Sequence, residues 1–235
     1  MTIQEVLKEL EGYGNEGTKK IFLKHGAREP FYGVKVQDLK KILKKVKKNH
    51  ELSLDLYATG NSDAMYLAGL MADENKISKS ELNQWADEAY WYMISEYTVP
   101  WVASESKYGL ELGLEWIDDK EERIASAGWA TLAYYSSLKP DEELDLAVYS
   151  GLLERVEKDI HKAQNRVRYT MNGFVIAIGS YIEELNKKAS EVAQNIGKVN
   201  VDVGGTACKV PLAADYIKKV ADKGRLGKKR KTARC

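Results

Sequence analysis

Residues 36–48 read VQDLKKILKKVKK, and this stretch decides the fold class. Its apolar residues recur at three- and four-residue steps while lysines fill the other positions, which places one apolar stripe along an α-helix. The same periodicity predicts further helices at roughly 51–59, 62–72, 78–95, 100–117, 120–136, 141–157, 165–180, 183–196 and 211–223. Sustained alternation occurs only in VNVDV at 199–203. We therefore predict an all-α chain.

The predicted helices group into successive pairs. These pairs lie near 17–48, 51–72, 78–117, 120–157 and 165–196, a spacing close to the repeat of about 40 residues in HEAT and armadillo proteins. We expect a HEAT/armadillo-like superhelix of antiparallel helix pairs, with residues 1–223 as one domain and 224–235 as a basic C-terminal tail. Such a stack forms a concave surface that can hold an extended partner.

Composition limits the classes of protein that fit. The 235 residues are 44% hydrophobic, enough for a substantial core. Cys208 and Cys235 are too few for a disulfide framework or a thiolate metal site. The start, MTIQEVLKELEG, lacks the apolar core of a secretory signal, and no apolar run reaches the roughly 20 residues of a membrane-spanning helix. We expect a cytoplasmic monomer that needs no membrane, metal or cofactor.

The sequence contains a glycine motif and three histidines, but neither feature indicates a nucleotide-binding or metal site. Gly12, Gly14 and Gly17 spell G-x-G-x-x-G, but a dinucleotide motif must follow a strand, and VLKELEG reads as a helix. The three histidines are far apart and none has the spacing of a metal ligand. We interpret the glycines as a helix cap and turn.

The charge distribution is strongly asymmetric. Residues 218–235 contain nine Lys or Arg and one acid, Asp222. Removing these from the totals of 36 basic and 35 acidic residues leaves 27 and 34, a net charge of −7 for residues 1–217. The segment GKKRKTAR, with Lys228, Lys229, Arg230 and Lys231, is typical of phosphate-binding runs and equally of solvated termini.

Aromatic and acidic residues are concentrated in WADEAYWYMISEYTVPWVASE at 85–105. If a helix begins near Pro100, then Trp101, Glu105 and Tyr108 share one face. Such a face could hold a cationic heterocycle against the rings while the carboxylate stabilises a sugar cation. The alternative is that the rings fill the core.

Two later helices carry polar candidates. Arg123 and Trp129 lie in the predicted helix at 120–136 and could supply a phosphate contact and a further ring. In NRVRYTMNGFVIAIGSY at 165–181, Arg168 and Asn172 share a face beside an apolar stripe. This polar pair could bind phosphates in a groove, or it could satisfy loop carbonyls.

Several stretches resemble the bacterial DNA alkylation repair proteins with HEAT-like repeats, and the resemblance covers most of the chain. They are YGVKVQDLKKI, NSDAMYLAGLMADE, YWYMISEYTVPW, NRVRYTMNGFVIAIGSY and KVNVDVGGTACKVPLAADYI. The resemblance implies binding of duplex DNA carrying a cationic alkylpurine, 3-methyladenine or 7-methylguanine. It also implies hydrolysis of the N-glycosidic bond by a metal-independent, monofunctional DNA glycosylase.

The same resemblance implies roles for particular residues. The family's glycosylases place a Trp four residues before an Asp, and Trp101 and Glu105 have this spacing, with one methylene more on the acid. Glu105 would stabilise the sugar cation, Trp101 and Phe174 would contact the base, with Trp129 and Tyr108 as further substrate contacts. The predicted DNA-binding residues are Arg123, Arg168, Asn172 and Lys228–Lys231. Ser126, rather than Arg123, occupies the family's arginine position.

Two other functions fit the sequence. The basic tail favours a helical protein that binds DNA or structured RNA. Glu105 and Ser126 differ from the residues of the family's glycosylases, which favours a noncatalytic protein. The acidic body, with its net charge of −7, favours a peptide-binding repeat scaffold.

Overall fold

The chain is all-helical in the computed structural model, which describes residues 1–206 and 208–234. Over these ranges it contains thirteen α-helices, a π-helix and two 3₁₀-helices, and no strand. The α-helices are α1 Ile3–Gly12, α2 Glu16–Lys24, α3 Val36–Val46, α4 His50–Tyr57, α5 Ser62–Met71, α6 Lys79–Glu88, α7 Val99–Glu105, α8 Gly109–Trp116, α9 Glu122–Leu138, α10 Leu146–Asp159, α11 Asn165–Tyr181, α12 Asn186–Ile196 and α13 Ala213–Asp222. The π-helix is Ile94–Thr98, and the 3₁₀-helices are Asp141–Glu143 and Ile160–Lys162. The prediction of an all-α chain is confirmed.

The helices pack in two rows. An inner row runs from α5 through the π-helix and α7 to α9, α11 and α13, each element contacting the next. Helices α4, α6, α8, α10 and α12 form a second row that packs against the first. Helix α9 is the centre of the stack, because it contacts the π-helix, α7, α8 and α11.

Two hydrophobic cores meet at α9. The first spans the N-terminal helices and includes Trp85, Trp101 and, from the far end of the chain, Ala233. The second spans α9 to α13 and includes Trp129 and Phe174. The α9 helix therefore buries side chains in both cores. A change of packing in either core would affect the position of this helix.

Close helix contact at α9 depends on a glycine. A Cβ on Gly128 would lie 2.6 Å from the Ile117 backbone nitrogen, immediately after α8. No side chain fits at that distance, so α8 and α9 could not approach as they do with any other residue. The small residue thus fixes the packing of the second row on the first.

The loop before α3 is held by a buried carboxylate on α5. Asp63 accepts hydrogen bonds from the backbone N–H groups of Tyr32, Gly33 and Val34, at 2.6, 2.9 and 3.0 Å. Burial raises the pKa of Asp63, and these three donors oppose that shift. The stretch NSDAM therefore caps its own helix through Asn61 and orders a distant loop through Asp63.

Some predicted helix bounds are wrong. The helix predicted at 100–117 is two helices, because α7 ends at Glu105 and α8 begins at Gly109. The predicted break before Pro100 is also absent, since Val99 is helical. A π-helix precedes Pro100, in which the Val99 N–H donates to the Ile94 carbonyl and the Thr98 hydroxyl donates to the Met93 carbonyl. This wider turn accommodates a proline without an amide hydrogen.

The predicted pairing of helices within 120–157 also differs from the structure. Helix α9 packs against α8 and α11, whereas α10 packs against α11 and α12. Within residues 1–206 and 208–234, every helix falls short of the length and apolar character needed to cross a bilayer.

Candidate nucleic-acid interface

Trp101 is a core residue in this structure. Its side chain is buried and packs edge-on against Tyr66 and Tyr97, with ring centroids 5.3 and 6.1 Å away. Tyr108 lies beyond the end of α7 and directly precedes α8, so it does not continue the face of Trp101 and Glu105. The predicted stripe of three side chains on one helix is therefore wrong.

The Glu105 carboxylate binds the C-terminal segment of its own chain. One carboxylate oxygen accepts the Ala233 backbone N–H at 2.7 Å and also the Thr232 hydroxyl. The other oxygen forms an ion pair with the Arg234 guanidinium, 3.2 Å away. Ala233 is buried, and Arg234 reaches on to Glu74 at 3.0 Å. Glu105 thus anchors a segment more than 120 residues later.

The rest of the tail also packs against the helices. The Gly227 N–H donates to the Ser180 carbonyl on α11, and the Arg230 N–H donates to the Ser137 carbonyl on α9. Lys229 binds the Ser136 carbonyl and pairs with Asp141 at 2.7 Å. Residues 227–234 are therefore packed against the helices and do not form the solvated terminus that the sequence also allowed. Lys228 and Lys231 are exposed, whereas Lys229 and Arg230 hold the tail in place.

The predicted rings of the substrate site are also in the core. Trp129 and Phe174 are fully buried, with their centroids 5.1 Å apart and their planes at 71°. Phe174 also stacks on Tyr149 at 6.1 Å. Ser126, at the family's arginine position, is fully buried on α9. This conformation presents no ring of these side chains to a ligand.

The predicted phosphate-binding residues have different surroundings. The Arg123 guanidinium pairs with Asp87 at 2.6 Å and with Glu121 at 2.5 Å, so acidic neighbours neutralise its charge. Asn172 is buried, and its amide donates to the Pro211 carbonyl at 2.9 Å. Asn172 thus satisfies a loop carbonyl, the alternative that its sequence left open. Arg168 is half-buried one turn away on α11.

A cleft of about 770 Å³ lies along α9 and α11 and is bordered by the π-helix, the tail, α13 and residues 209–211. We call it the α9–α11 cleft. Five tyrosines line it, namely Tyr97, Tyr134, Tyr169, Tyr181 and Tyr216, together with four cations, Lys209, Arg225, Lys228 and Arg230. Only Lys228 and Arg230 were predicted as binding residues from the sequence.

A periodic pattern marks this cleft in the sequence. Tyr169, Gly173, Ala177 and Tyr181 recur every four residues along α11, and Ala130, Tyr134 and Ser137 are spaced by four and then three residues along α9. Residues at this spacing share one helix face. A helix face of tyrosines and small residues on an otherwise apolar helix is therefore the sequence signal for the α9–α11 cleft.

A buried ion pair forms one end of the cleft. Glu96, on the π-helix, accepts from Arg166 Nε and Nη2 at 2.6 Å each, and its side chain is only 2% exposed. The guanidinium lies over the rings of both Tyr92 and Tyr169, 4.7 and 4.5 Å from their centroids. Burial raises the pKa of Glu96 to about 7, while donation from Arg166 opposes this shift. The pair joins the π-helix to α11.

The stacked helix pairs place this protein in the helical-repeat class. The model of the DNA alkylation repair enzyme family matches residues 6–195. This chain belongs to that family. The predicted resemblance is therefore confirmed.

The chain is also similar to individual proteins. The chain is 34% identical over 229 residues to an uncharacterized protein of Listeria innocua and 35% identical to one of Listeria monocytogenes, covering 95% of this chain and 99% of each relative. It also resembles a solved structure with a TM-score of 0.92 and 39% identity, over 100% of both chains. That structure is described as a new family of proteins related to the HEAT-like repeat DNA glycosylases, with affinity for branched DNA structures. The HEAT-like fold is confirmed.

The Glu96–Arg166 pair generates a pH-dependent prediction. Arg166→Met leaves a buried carboxyl without its partner, and we expect a loss of about 3–5 kcal/mol of unfolding free energy. Because Glu96 binds its proton more tightly when folded, its contribution to the stability of the wild type falls as pH rises from about 4.5 to about 7 and then levels. Without Arg166 the fall continues above pH 7, so urea unfolding should show a larger deficit at pH 8 than at pH 6.

Lys79→Met is the matched control for this experiment, because Lys79 forms exposed ion pairs with Glu111 and Glu115. We expect a change of at most about 1 kcal/mol at both pH values. An Arg166→Met deficit equal at pH 6 and pH 8 would contradict the assignment of Glu96 as the buried carboxyl whose pKa Arg166 lowers.

Proposed function

We propose that this protein binds branched DNA through the α9–α11 cleft and the cations around it, without excising a base. The observation that carries the proposal is the cleft itself, which combines five tyrosines with four cations. Basic residues bind phosphates with little regard to sequence, and aromatic rings stack on bases. The relative with affinity for branched DNA structures, similar over its whole length, supports a branched partner.

The tail's contact with Glu105 supports the noncatalytic part of the proposal. A carboxylate that stabilises a sugar cation must face the sugar without a competing cation. Glu105 instead accepts two hydrogen bonds from Thr232 and Ala233 and pairs with Arg234. Its charge is therefore directed to the tail, and Trp101 beside it is buried.

A DNA glycosylase for cationic alkylpurines is the second candidate function. The specific observation in its favour is the Trp101–Glu105 spacing in a chain of the DNA alkylation repair enzyme family. For such activity the tail would have to leave Glu105 when DNA binds. The two candidates differ in whether a free base is released.

The base-release experiment compares the wild type with Glu105→Gln on duplex DNA containing 7-methylguanine and 3-methyladenine. We expect neither protein to release base above the rate of spontaneous depurination, because the tail covers the carboxylate. The amide keeps the shape of the side chain and removes its charge. Release by the wild type that is lost in Glu105→Gln would establish the glycosylase and refute the noncatalytic proposal.

The DNA-binding experiment measures the affinity for a four-way DNA junction against salt concentration by fluorescence anisotropy. Changing Lys209, Arg225 and Lys228 together to Ala should reduce the slope of log K against log salt by about 2–3, because each phosphate contact contributes about 0.9. The control changes the exposed Lys158, Lys187 and Lys198, which lie outside the cleft, to Ala. Equal slopes for the two triple variants would refute the cleft as the DNA site.

A further inference from the structure

We propose that the α9–α11 cleft takes an unpaired nucleotide at a DNA branch point and stacks its base among the tyrosines. This inference rests on the proposed function and deepens it, since it names the part of the DNA that the cleft recognises. Bases within a duplex are stacked and present only their edges to the grooves, whereas an unpaired base offers its two faces. A site that binds the faces of bases therefore selects unpaired nucleotides.

The dimensions of the cleft fit a small ligand. Its volume of about 770 Å³ lies within the range of about 300–1,000 Å³ that small-molecule sites occupy. Its walls come from two rigid helices, α9 and α11, and its rim comes from the tail, α13 and residues 209–211. A nucleotide can enter such a space while the neighbouring duplex arms stay outside.

Tyrosines line three sides of the cleft. Tyr97 comes from the π-helix, Tyr134 from α9 and Tyr169 from α11, and all three are partly exposed. A tyrosine phenol is neutral at neutral pH, and burial raises the pKa of Tyr97 further, so the ring adds no negative charge against a phosphate. Stacking on such rings tolerates any base, because every base has a π-face.

The charges of the cleft suit a phosphate attached to the stacked base. Four cations line the cleft, and two of them, Arg225 and Lys228, are exposed on the tail. The acidic side chain among the lining residues, Glu96, is held by Arg166. The positive charge of the cleft favours an anionic ligand, and the tyrosine rings favour an anion that carries a base, such as a nucleotide.

Gly173 keeps the cleft open. It lies in the middle of α11, where glycine is less favourable than alanine. No atom lies within 4 Å of the position that its Cβ would occupy, so close helix packing does not require glycine there. Gly173 instead faces the cleft between Tyr169 and Ala177. A larger side chain at this position would fill the space that the base needs.

The test compares two four-way junctions, one fully paired and one with a single unpaired nucleotide at the crossover. We expect the wild type to bind the second at least tenfold more tightly. Gly173→Leu should abolish this preference while it retains salt-sensitive binding to the fully paired junction. Gly151→Leu is the matched control, because Gly151 is also within a helix with open space at its Cβ, and it should keep the wild-type preference.

A spectroscopic measurement tests the same point in the wild type. A 2-aminopurine at the unpaired position should lose fluorescence on binding, because its ring stacks on tyrosine, while the same probe in a paired arm should not change. Equal affinity for the two junctions, a preference retained by Gly173→Leu, or unchanged fluorescence at the unpaired position would overturn the inference. The proposed function would survive these outcomes, whereas absence of binding to either junction would refute both.

Discussion

The buried ion pair of Glu96 and Arg166 is the contact on which the proposed binding surface, the α9–α11 cleft, depends. It joins the π-helix, which precedes α7 of the first core, to α11 of the second. Arg166 also contacts the rings of Tyr92 and Tyr169. Buried ion pairs contribute little net stability, but they penalise arrangements in which either partner is unpaired. We infer that this pair fixes how the two cores meet, and with it the shape of the α9–α11 cleft.

The fold could be predicted from the sequence because it rests on local periodicity. The apolar stripe of residues 36–48 and the caps at Asn61 and Ser78 act within one or two helical turns. Pro100 was misleading for a physical reason. Its missing amide hydrogen predicts a helix start, but the π-helix before it supplies an alternative arrangement that local propensity does not show.

The candidate site was less predictable, because its contacts join residues far apart in the chain. Nothing within GKKRKTAR indicates that Ala233 is buried or that Glu105 binds the residues around it. The spacing of apolar residues places Trp101 and Phe174 on helices, but it does not show whether their side chains are buried or face a ligand. The extra methylene that distinguishes glutamate from aspartate at position 105 is consistent with a carboxylate that anchors the tail. Under the proposed function, Glu105 therefore anchors the tail, and DNA binds in the α9–α11 cleft.

Photo-crosslinking tests this account most directly. A four-way junction carrying 5-iodouracil at an unpaired crossover position is irradiated with the protein, and the crosslinked residue is identified by mass spectrometry. The account predicts crosslinks to the cleft tyrosines, above all Tyr134 of α9 and Tyr169 of α11. Crosslinks to Trp101, or to the exposed faces of α10 and α12, would contradict it.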